Sequence, residues 1–315
     1  MSSTDLEPVV GLKGLIAEDA KLEKLTSGST WAEGPVWLAD RGSLRWSDIP
    51  GNQIFEYHLE TKATSIYKSE VEFTNGRTLD HDGSVIQCSH GNRRIERDRD
   101  GVVEPIVENW NGKKFNSPND VIVAKDGGIW FTDPPYGIIF PREGHPGERE
   151  YKDHYVFRFD PMTKEVKAVV LDVEEPNGLA FSPDESILYI ADSSALTNEP
   201  GEGNNHLRAY DVVGSNCKNG RTFAVMENGV PDGLRVDKDG NVLHSSSMPT
   251  NTHEQVHTFI DELYERLSEL IEKVGGVGRI KGIGIGAPNG NIYTGTIEYA
   301  PNLPWKGVIP FAKMV

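Results

Sequence analysis

Cysteine is almost absent from this chain, with only Cys88 and Cys217 among its 315 residues. Two cysteines provide no disulfide framework, and both are expected to be buried thiols. No stretch approaches the roughly 20 consecutive apolar residues that a membrane-spanning helix needs. The first residues, MSSTDLEPVV, have no basic region and no long apolar run. The sequence therefore predicts no membrane span, no signal peptide and a cytoplasmic location.

Positive charge is also scarce. Lys and Arg number 32 against 48 Asp and Glu, which gives a formal net charge of −16. Because nucleic-acid phosphates need basic side chains, no nucleic-acid partner is expected. Gly (33) and Pro (19) are plentiful, as suits a turn-rich all-β fold, and 37% hydrophobic residues can build a large core.

One sequence unit occurs five times. An oxygen-bearing side chain stands seven residues before a tight acidic turn, and a run rich in β-branched or aromatic residues follows the turn. The pairs are Glu33 and Asp40, Asn75 and Asp82, Asn119 and Asp126, Asn177 and Asp184, and Asp232 and Asp239. Alternating apolar residues before an Asp-Gly or similar turn predict a strand, a turn and a returning strand.

The spacing of these units indicates the architecture. They recur after 42, 44, 58 and 55 residues, counted from 33 to 75, 119, 177 and 232. Repeats of this size, made of antiparallel strands, are typical of a β-propeller blade, although five unrelated hairpins in a sandwich are the alternative. The equal register of the five units favours the propeller. In that fold the first strand of each blade lines the central channel, so the five leading polar residues should lie at one depth.

Those five residues are two carboxylates and three amides, a set of hard oxygen ligands without Cys or His. Such ligands suit Ca²⁺ or Mg²⁺ and can hold Mn²⁺ or Zn²⁺. Any one of them alone is better explained as a turn or strand cap. Taken together they favour a cation, because two carboxylates brought near each other repel unless a cation or proton lies between them.

The ends of the returning strands predict a second ring on the same side. They carry Asp48, His90, Asp133, Asp192 and Ser245–Ser247. These side chains can contact substrate or orient metal ligands, and Asn75, His90 and Asp133 are our candidate substrate-binding residues. His90 is a candidate general base or a hydrogen-bonded structural histidine, and Asp133 can equally belong to a rigid turn.

The pattern changes after residue 247. Residues Thr252 to Val274 have apolar side chains at spacings of three and four, which predicts an amphipathic helix that ends at Gly275-Gly276. KGIGIGAP follows, with the character of a buried strand entering a Gly-rich turn. Neither GxGxxG before a helix nor GxxxxGK[ST] is present, so a phosphate loop is not expected.

The repeats resemble the gluconolactonase, senescence marker protein and regucalcin family of six-bladed propellers. The matching segments include AEGPVW (32–37), FNSPNDVIV (115–123), GGIWFTDPPYG (127–137), PNGLAFSPDESILYIAD (176–192) and VPDGLRVDKDGNV (230–242). This resemblance, over about residues 20–245, implies one divalent cation, with Ca²⁺ expected first, and hydrolysis of sugar lactones. It places the metal ligands at Glu33, Asn119, Asn177 and Asp232, and the general base at Asp232.

Residues 248–315 resemble a different family, the ROK sugar kinases and repressors, through PTNTHEQV, the predicted helix, IKGIGIGAP and YAPNLPWKGV. The phosphate motif and the catalytic aspartate of that family are absent. The sequence thus predicts an all-β propeller of the six-bladed family with five recognisable blades over 1–247, and a C-terminal α/β segment over 248–315, an apparent chimera.

Three functions remain open from the sequence. The first is a metal-dependent lactonase acting on a sugar lactone, the second a non-catalytic propeller scaffold, and the third a sugar kinase, which lacks its nucleotide cradle and base. The tail is expected to be a separate unit rather than a surrogate blade. An edge left open by the missing blade would allow dimerisation.

Overall fold

The computed structural model describes residues 25–199, 201–226 and 229–236, together with the backbone of three short strand segments closer to the C-terminus. The chain divides into two compact units, one formed by residues 29–245 and the other by residues 1–28 and 246–315. Within the described ranges, no helix has the length and apolar character to cross a membrane.

The described part of the larger unit contains four antiparallel sheets that each consist of four strands in sequence order. The first sheet consists of β1 (Ala32–Leu38), β2 (Ser43–Asp48), β3 (Gln53–His58) and β4 (Ala63–Ser69). The second sheet consists of β5 (Thr74–Leu79), β6 (Val85–Ser89), β7 (Arg94–Arg99) and β8 (Val102–Val107). A small ribbon follows, formed by β9 (Asn109–Trp110) and β10 (Lys113–Lys114).

The third and fourth sheets repeat this order with longer connections. The third consists of β11 (Val121–Val123), β12 (Ile129–Asp133), β13 (Tyr155–Phe159) and β14 (Val166–Val170), with a short helix, α1 (Tyr136–Ile139), between β12 and β13. The fourth consists of β15 (Pro176–Phe181), β16 (Ile187–Asp192), β17 (His206–Val213) and β18 (Asn216–Val225).

The predicted hairpin turns are present, and their acids explain why they form. Asp82, Asp126 and Asp184 each accept a hydrogen bond from the backbone N–H two residues later, at 3.0, 2.8 and 3.0 Å. This local bond holds the chain in a tight turn. Gly83 and Gly127 follow two of these acids with φ of 82°, a conformation that glycine adopts without strain.

The first strands of the sheets lie side by side at the level of the leading polar residues. The Gly76 N–H donates to the Asn119 carbonyl at 2.8 Å. A Cβ added at Gly34 would lie 2.3 Å from the Asn75 carbonyl oxygen, and one at Gly178 would lie 2.3 Å from that of Asp232. The glycines that follow Glu33, Asn75 and Asn177 are therefore required by the close approach of the next strand.

Apolar clusters fill the spaces between consecutive sheets. Between the second and third sheets, Ile86 and Ile95 pack with Val121, Phe131 and Phe157. Between the third and fourth, a cluster around Trp130 contains Leu179, Leu188 and Ile190. Full burial of such side chains contributes about 1.5–3 kcal/mol each, so these interfaces fix the angle between neighbouring sheets.

The all-β prediction is confirmed for the residues that the structure describes, which form several antiparallel sheets and contain little helix. Of the predicted fifth blade, residues 229–236 are described and form a single bridge position at Val236, so the blade count stays a prediction. Of the two thiols, Cys88 is fully buried and Cys217 half-buried, and both are free.

The predictions for the tail fall largely outside the described residues. These include the helix over 252–274 and the buried strand in KGIGIGAP. The predicted second-ring residues Ser245–Ser247 also lie outside the described residues. Three short antiparallel strands are described there, β19 (Gly290–Asn291), β20 (Thr296–Glu298) and β21 (Val308–Ile309), in that order in one sheet. The C-terminal α/β segment stays a prediction.

Candidate active site

Four carboxyl groups from different parts of the larger unit influence one another at the ends of the first strands. Glu33 lies on β1, Asp120 directly precedes β11, Glu143 lies between β12 and β13, and Asp232 follows the fourth sheet. Desolvation by surrounding protein, then the charge of Asp232, raises the pKa of Glu33, and Asp120 and Glu143 add to the effect. Desolvation and Asp120 raise the pKa of Asp232 in turn.

Glu33 and Asp232 can be reached from solvent, since Glu33 is half-buried and Asp232 exposed. Their raised pKa values come from the protein packed around them, as expected for groups that line an open cavity. Among the described residues neither forms an ion pair with Lys or Arg, whereas Arg235 lies 3.8 Å from Asp120 and Arg142 lies 3.5 Å from Glu143. The two predicted ligand carboxylates thus share a site in which no described Lys or Arg pairs with either of them.

The predicted amide ligands lie beside these carboxylates. The Asn177 side chain lies close enough to Asp232 to lower the pKa of that carboxyl, against the effect of desolvation. Asn119 is buried, immediately before Asp120, and its backbone joins two sheets by donating to the Thr132 carbonyl at 3.0 Å and accepting from Gly76. No group of three or more His, Cys, Asp or Glu side chains suited to a metal occurs in the described ranges. The predicted set contains only two such residues, because its other members are amides.

Trp31 fixes the orientation of Glu33. Its indole Nε1 donates to Glu33 Oε1 at 2.8 Å, and its backbone N–H donates to Asp48 Oδ1 at 2.9 Å. The Arg142 guanidinium lies 4.8 Å from the centre of the indole ring, within the range of a cation–π contact. The Glu33 carboxylate is therefore held by a side chain that is itself anchored on both sides.

The acids of the predicted second ring form a repeated clamp on the backbone. Asp133 accepts from Asn116 N–H at 2.8 Å and from Ser117 N–H at 2.9 Å. Asp192 does the same for Glu174 and Glu175, at 3.0 and 3.2 Å. These donors lie two and three residues before Asn119 and Asn177, just as Trp31 lies two residues before Glu33.

The second ring is therefore built into the fold. Asp133 is fully buried, and its carboxylate also accepts from the Tyr151 hydroxyl. Burial raises the pKa of Asp133 to about 7, against the effect of these donors. Its contacts favour a role in holding the segment before Asn119 over a direct contact with substrate.

His90 takes the place of these acids in the second sheet, with different bonds. Its ring is fully buried, with Nδ1 3.0 Å from the Glu143 carbonyl oxygen and Nε2 3.2 Å from the Asn75 amide nitrogen. Burial lowers the pKa of His90 to about 4. Both ring nitrogens are thus engaged by protein groups, which favours the structural over the general-base interpretation.

The connector between β12 and β13, residues 134–154, supplies site residues that sequence reasoning missed. The corresponding connections in the first two sheets span only residues 49–52 and 90–93. Arg142 and Glu143 come from this connector, as does the buried Tyr136, whose pKa is raised by burial and by the charges of Glu175 and Asp232. The signal was the jump in repeat spacing from 44 to 58 residues.

Comparison with known proteins adds an independent line of support. A model of the SMP-30/Gluconolactonase/LRE-like region matches residues 31–258. The gluconolactonase of Zymomonas mobilis is 28% identical over 263 residues, which cover 75% of this chain and 70% of the relative.

Two solved structures are similar to this one. A gluconolactonase from Xanthomonas campestris superposes with a TM-score of 0.67 at 37% identity and 76% coverage of each chain. Regucalcin from Agrobacterium tumefaciens, described as a calcium-binding protein, superposes with a TM-score of 0.52 at 16% identity, covering 71% of this chain and 77% of the other. The second similarity concerns the fold alone.

The predicted chimera is left without support. No comparison supports the resemblance of residues 248–315 to the ROK family, and the family match continues past the predicted boundary at 247 to residue 258.

Proposed function

The chain belongs to the SMP-30/Gluconolactonase/LRE-like family and is a lactone hydrolase, and on this premise we propose that it opens sugar lactones such as gluconolactone at the cluster around Glu33 and Asp232. The main observation in support of this site is the pair of carboxylates, Glu33 and Asp232. The two carboxylates are open to solvent and near enough for the charge of Asp232 to raise the pKa of Glu33. Trp31 orients Glu33, and neither carboxylate has a cationic partner among the described residues.

The residues here fit one divalent cation. Glu33, Asn119, Asn177 and Asp232 would hold it, and their oxygens suit Ca²⁺ first, with Mg²⁺, Mn²⁺ or Zn²⁺ as alternatives. A cation would offset the repulsion that raises both carboxyl pKa values. When bound, such an ion supplies positive charge to the oxyanion that develops at the lactone carbonyl.

Asp232 is proposed as the general base. Its carboxylate accepts a proton as water attacks the lactone carbonyl carbon, and the proton passes to the ring oxygen when the ester C–O bond breaks. The products are the free hydroxyl and carboxylic acid of the opened chain. Asn177 lies beside the base, and general base catalysis of this kind contributes typically about 10²–10⁴-fold.

The scaffold and kinase interpretations are less well supported than the lactonase interpretation. The lactonase relatives favour an enzyme over a non-catalytic scaffold, and the kinase hypothesis rested only on the tail. Of the three predicted substrate-binding residues, Asn75 is retained as a substrate contact, while the bonds of Asp133 favour a positioning role. The partner is a small-molecule lactone, and dimerisation through an open edge stays a prediction.

The test is the rate of gluconolactone opening by chelator-treated protein before and after each divalent ion is returned. We expect little activity after chelation and recovery with Ca²⁺, accompanied by heat of binding in calorimetry. Hydrolysis at the same rate with and without the ion would refute the metal-dependent mechanism. An inactive protein that still binds Ca²⁺ would refute the lactonase assignment and leave the cation site standing.

A further inference from the structure

His90 lies where the connector of the third sheet meets the first strand of the second sheet. Its ring nitrogens are 3.0 Å from the Glu143 carbonyl oxygen and 3.2 Å from the Asn75 amide nitrogen. A Cβ added at Gly137, also on the connector, would come within 2.6 Å of His90 Cβ. The imidazole is therefore enclosed between two segments that both contribute residues to the candidate active site.

The backbone carbonyl of Glu143 determines the tautomer of the imidazole. A carbonyl oxygen can only accept, so Nδ1 must carry the proton and donate it. In a neutral ring the other nitrogen, Nε2, is then an acceptor only. The ring is fully buried and no carboxylate of the described residues hydrogen-bonds to it, so the neutral form is expected.

This tautomer determines which end of the Asn75 amide faces the ring. An acceptor at Nε2 requires a donor, so the Asn75 NH₂ group must point at His90 and its Oδ1 must point away. No described residue donates a hydrogen bond to that oxygen, although the Asn75 side chain is only 6% exposed. Asn75 occupies the same position on its strand as Glu33 and Asn177, and so presents its free acceptor beside them.

The other sheets show why this position needs a histidine. There Asp48, Asp133 and Asp192 accept from backbone N–H groups. An aspartate at position 90 would offer only acceptors and would repel the Glu143 carbonyl. Imidazole has one donor and one acceptor, and it can satisfy the connector and Asn75 together.

We propose that His90 is a positioning residue, which locks the Asn75 amide with its oxygen available to the active site, where it accepts a hydrogen bond from a hydroxyl of the substrate. This rests on the proposed function for the identity of the substrate as a polyhydroxylated lactone. The pair His90 and Asn75 thereby contributes to the preference for a sugar lactone over a lactone without hydroxyl groups.

The orientation is tested without any assay of activity. Nitrogen-15 histidine labelling, with the His90 signals assigned by their loss in His90→Gln, reports which ring nitrogen carries the proton. A neutral ring protonated at Nδ1 is the expected result. Protonation at Nε2, or a ring charged at neutral pH, would overturn the proposal.

The specificity is tested by comparing kcat/KM for gluconolactone and δ-valerolactone, which has no hydroxyl groups. Loss of one hydrogen bond should lower this ratio by about three- to tenfold in His90→Phe, mainly through KM. His90→Gln, whose amide keeps one donor and one acceptor, should restore it, and His81→Phe on an exposed turn is the matched control. An unchanged ratio in His90→Phe would contradict the proposal.

Asn75→Ala removes the same acceptor directly and replaces His90→Phe if that variant does not fold. The same fall in the ratio is expected, and an unchanged ratio counts against the proposal. A wild-type protein that hydrolyses neither lactone refutes the proposed function, and the tautomer then decides the role of His90 alone.

Discussion

In each four-stranded sheet the first two strands form a hairpin with a turn at one end and the candidate active site at the other. Both ends carry acidic residues, but the environment lowers the pKa of the acids at the turn and raises the pKa of the acids at the site. At the turn end, Asp82 and Asp184 are exposed, and hydrogen bonds from Ser84 and from Ser182 hold their pKa values below the usual range. At the other end, desolvation raises the pKa values of Glu33 and Asp232, and neighbouring acids add to the rise.

The role of each acid therefore depends on the groups that neutralise its charge. Turn acids are satisfied by local donors and serve to shape the hairpin. Acids at the site end face other acids and need a cation or a proton. Residue type and spacing are alike at both ends, so only the three-dimensional neighbours distinguish structure from function.

The largest expected effect comes from making the same substitution at each end. Asp232→Asn keeps the shape of the side chain and removes the base, so kcat for gluconolactone should fall by roughly 100-fold or more. Asp184→Asn keeps one acceptor in the turn and should leave kcat within about twofold, as expected for a site remote from the chemistry. Steady-state kinetics of both variants measures the two effects. A comparable loss of kcat in Asp184→Asn and Asp232→Asn would contradict the different roles assigned to the turn acids and the site acids.

The second effect concerns the glycines at the two ends. Gly178→Ala places a Cβ 2.3 Å from the Asp232 carbonyl, so it must displace the backbone that carries the base. We expect a loss of about 1–3 kcal/mol in unfolding free energy, together with reduced kcat/KM.

The matched control for that substitution is Gly83→Ala at the turn. Its φ of 82° strains any side chain, but nothing lies within 4 Å of the added Cβ. It should cost about 1 kcal/mol and leave kcat/KM unchanged. Urea unfolding and steady-state kinetics measure both quantities, and lost activity in Gly83→Ala would show that the ends are not independent.

The smallest expected effect is a pH dependence of the folding stability, whose sign differs between acids at the site end and acids at the turn end. Burial raises the pKa of Asp133 from 3.8 to about 7. Between these values the unfolded chain has lost a proton that the folded protein keeps, so this group makes stability fall as pH rises from about 4 to 7. Asp133→Asn should remove that part of the slope, measured as Tm against pH.

Asp184 provides the contrast. Its folded pKa is lowered from 3.8 to about 2, so its contribution is present above 3.8 and is lost as pH falls towards 2. Asp184→Asn should therefore change the profile only in acid. A slope between pH 4 and 7 that is unaffected by Asp133→Asn would contradict the environment assigned to that carboxyl.

Much of this arrangement is predictable from the sequence because the repeat is regular. The register that put Asn75 and Asn177 at corresponding positions of their strands is the one observed, whereas Asn119 lies two residues before its strand. The turns at Asp82 and Asp184 are also those expected. The sequence also placed Asp133 and Asp192 at the correct strand ends. It could not identify their partners, because those are backbone N–H groups that any residue supplies.

The missed residues lie where the repeat is interrupted. Arg142 and Glu143 belong to the connector over 134–154, which has no counterpart of its length in the first two sheets. Asp120 follows the predicted ligand Asn119, and its burial and its effect on the pKa of Glu33 place it in the site. Irregular insertions carry no periodic signal, so their contribution requires the folded structure.

The most direct test of the cation site is calorimetric titration of Ca²⁺ into the wild type, Asp232→Ala and Asn75→Ala. Asp232→Ala removes a ligand and a negative charge, so its affinity should fall by at least about tenfold, as expected for loss of a charged ligand. Asn75→Ala removes an acceptor outside the proposed ligand set and should bind nearly as the wild type does. Equal affinity of the wild type and Asp232→Ala would contradict the account.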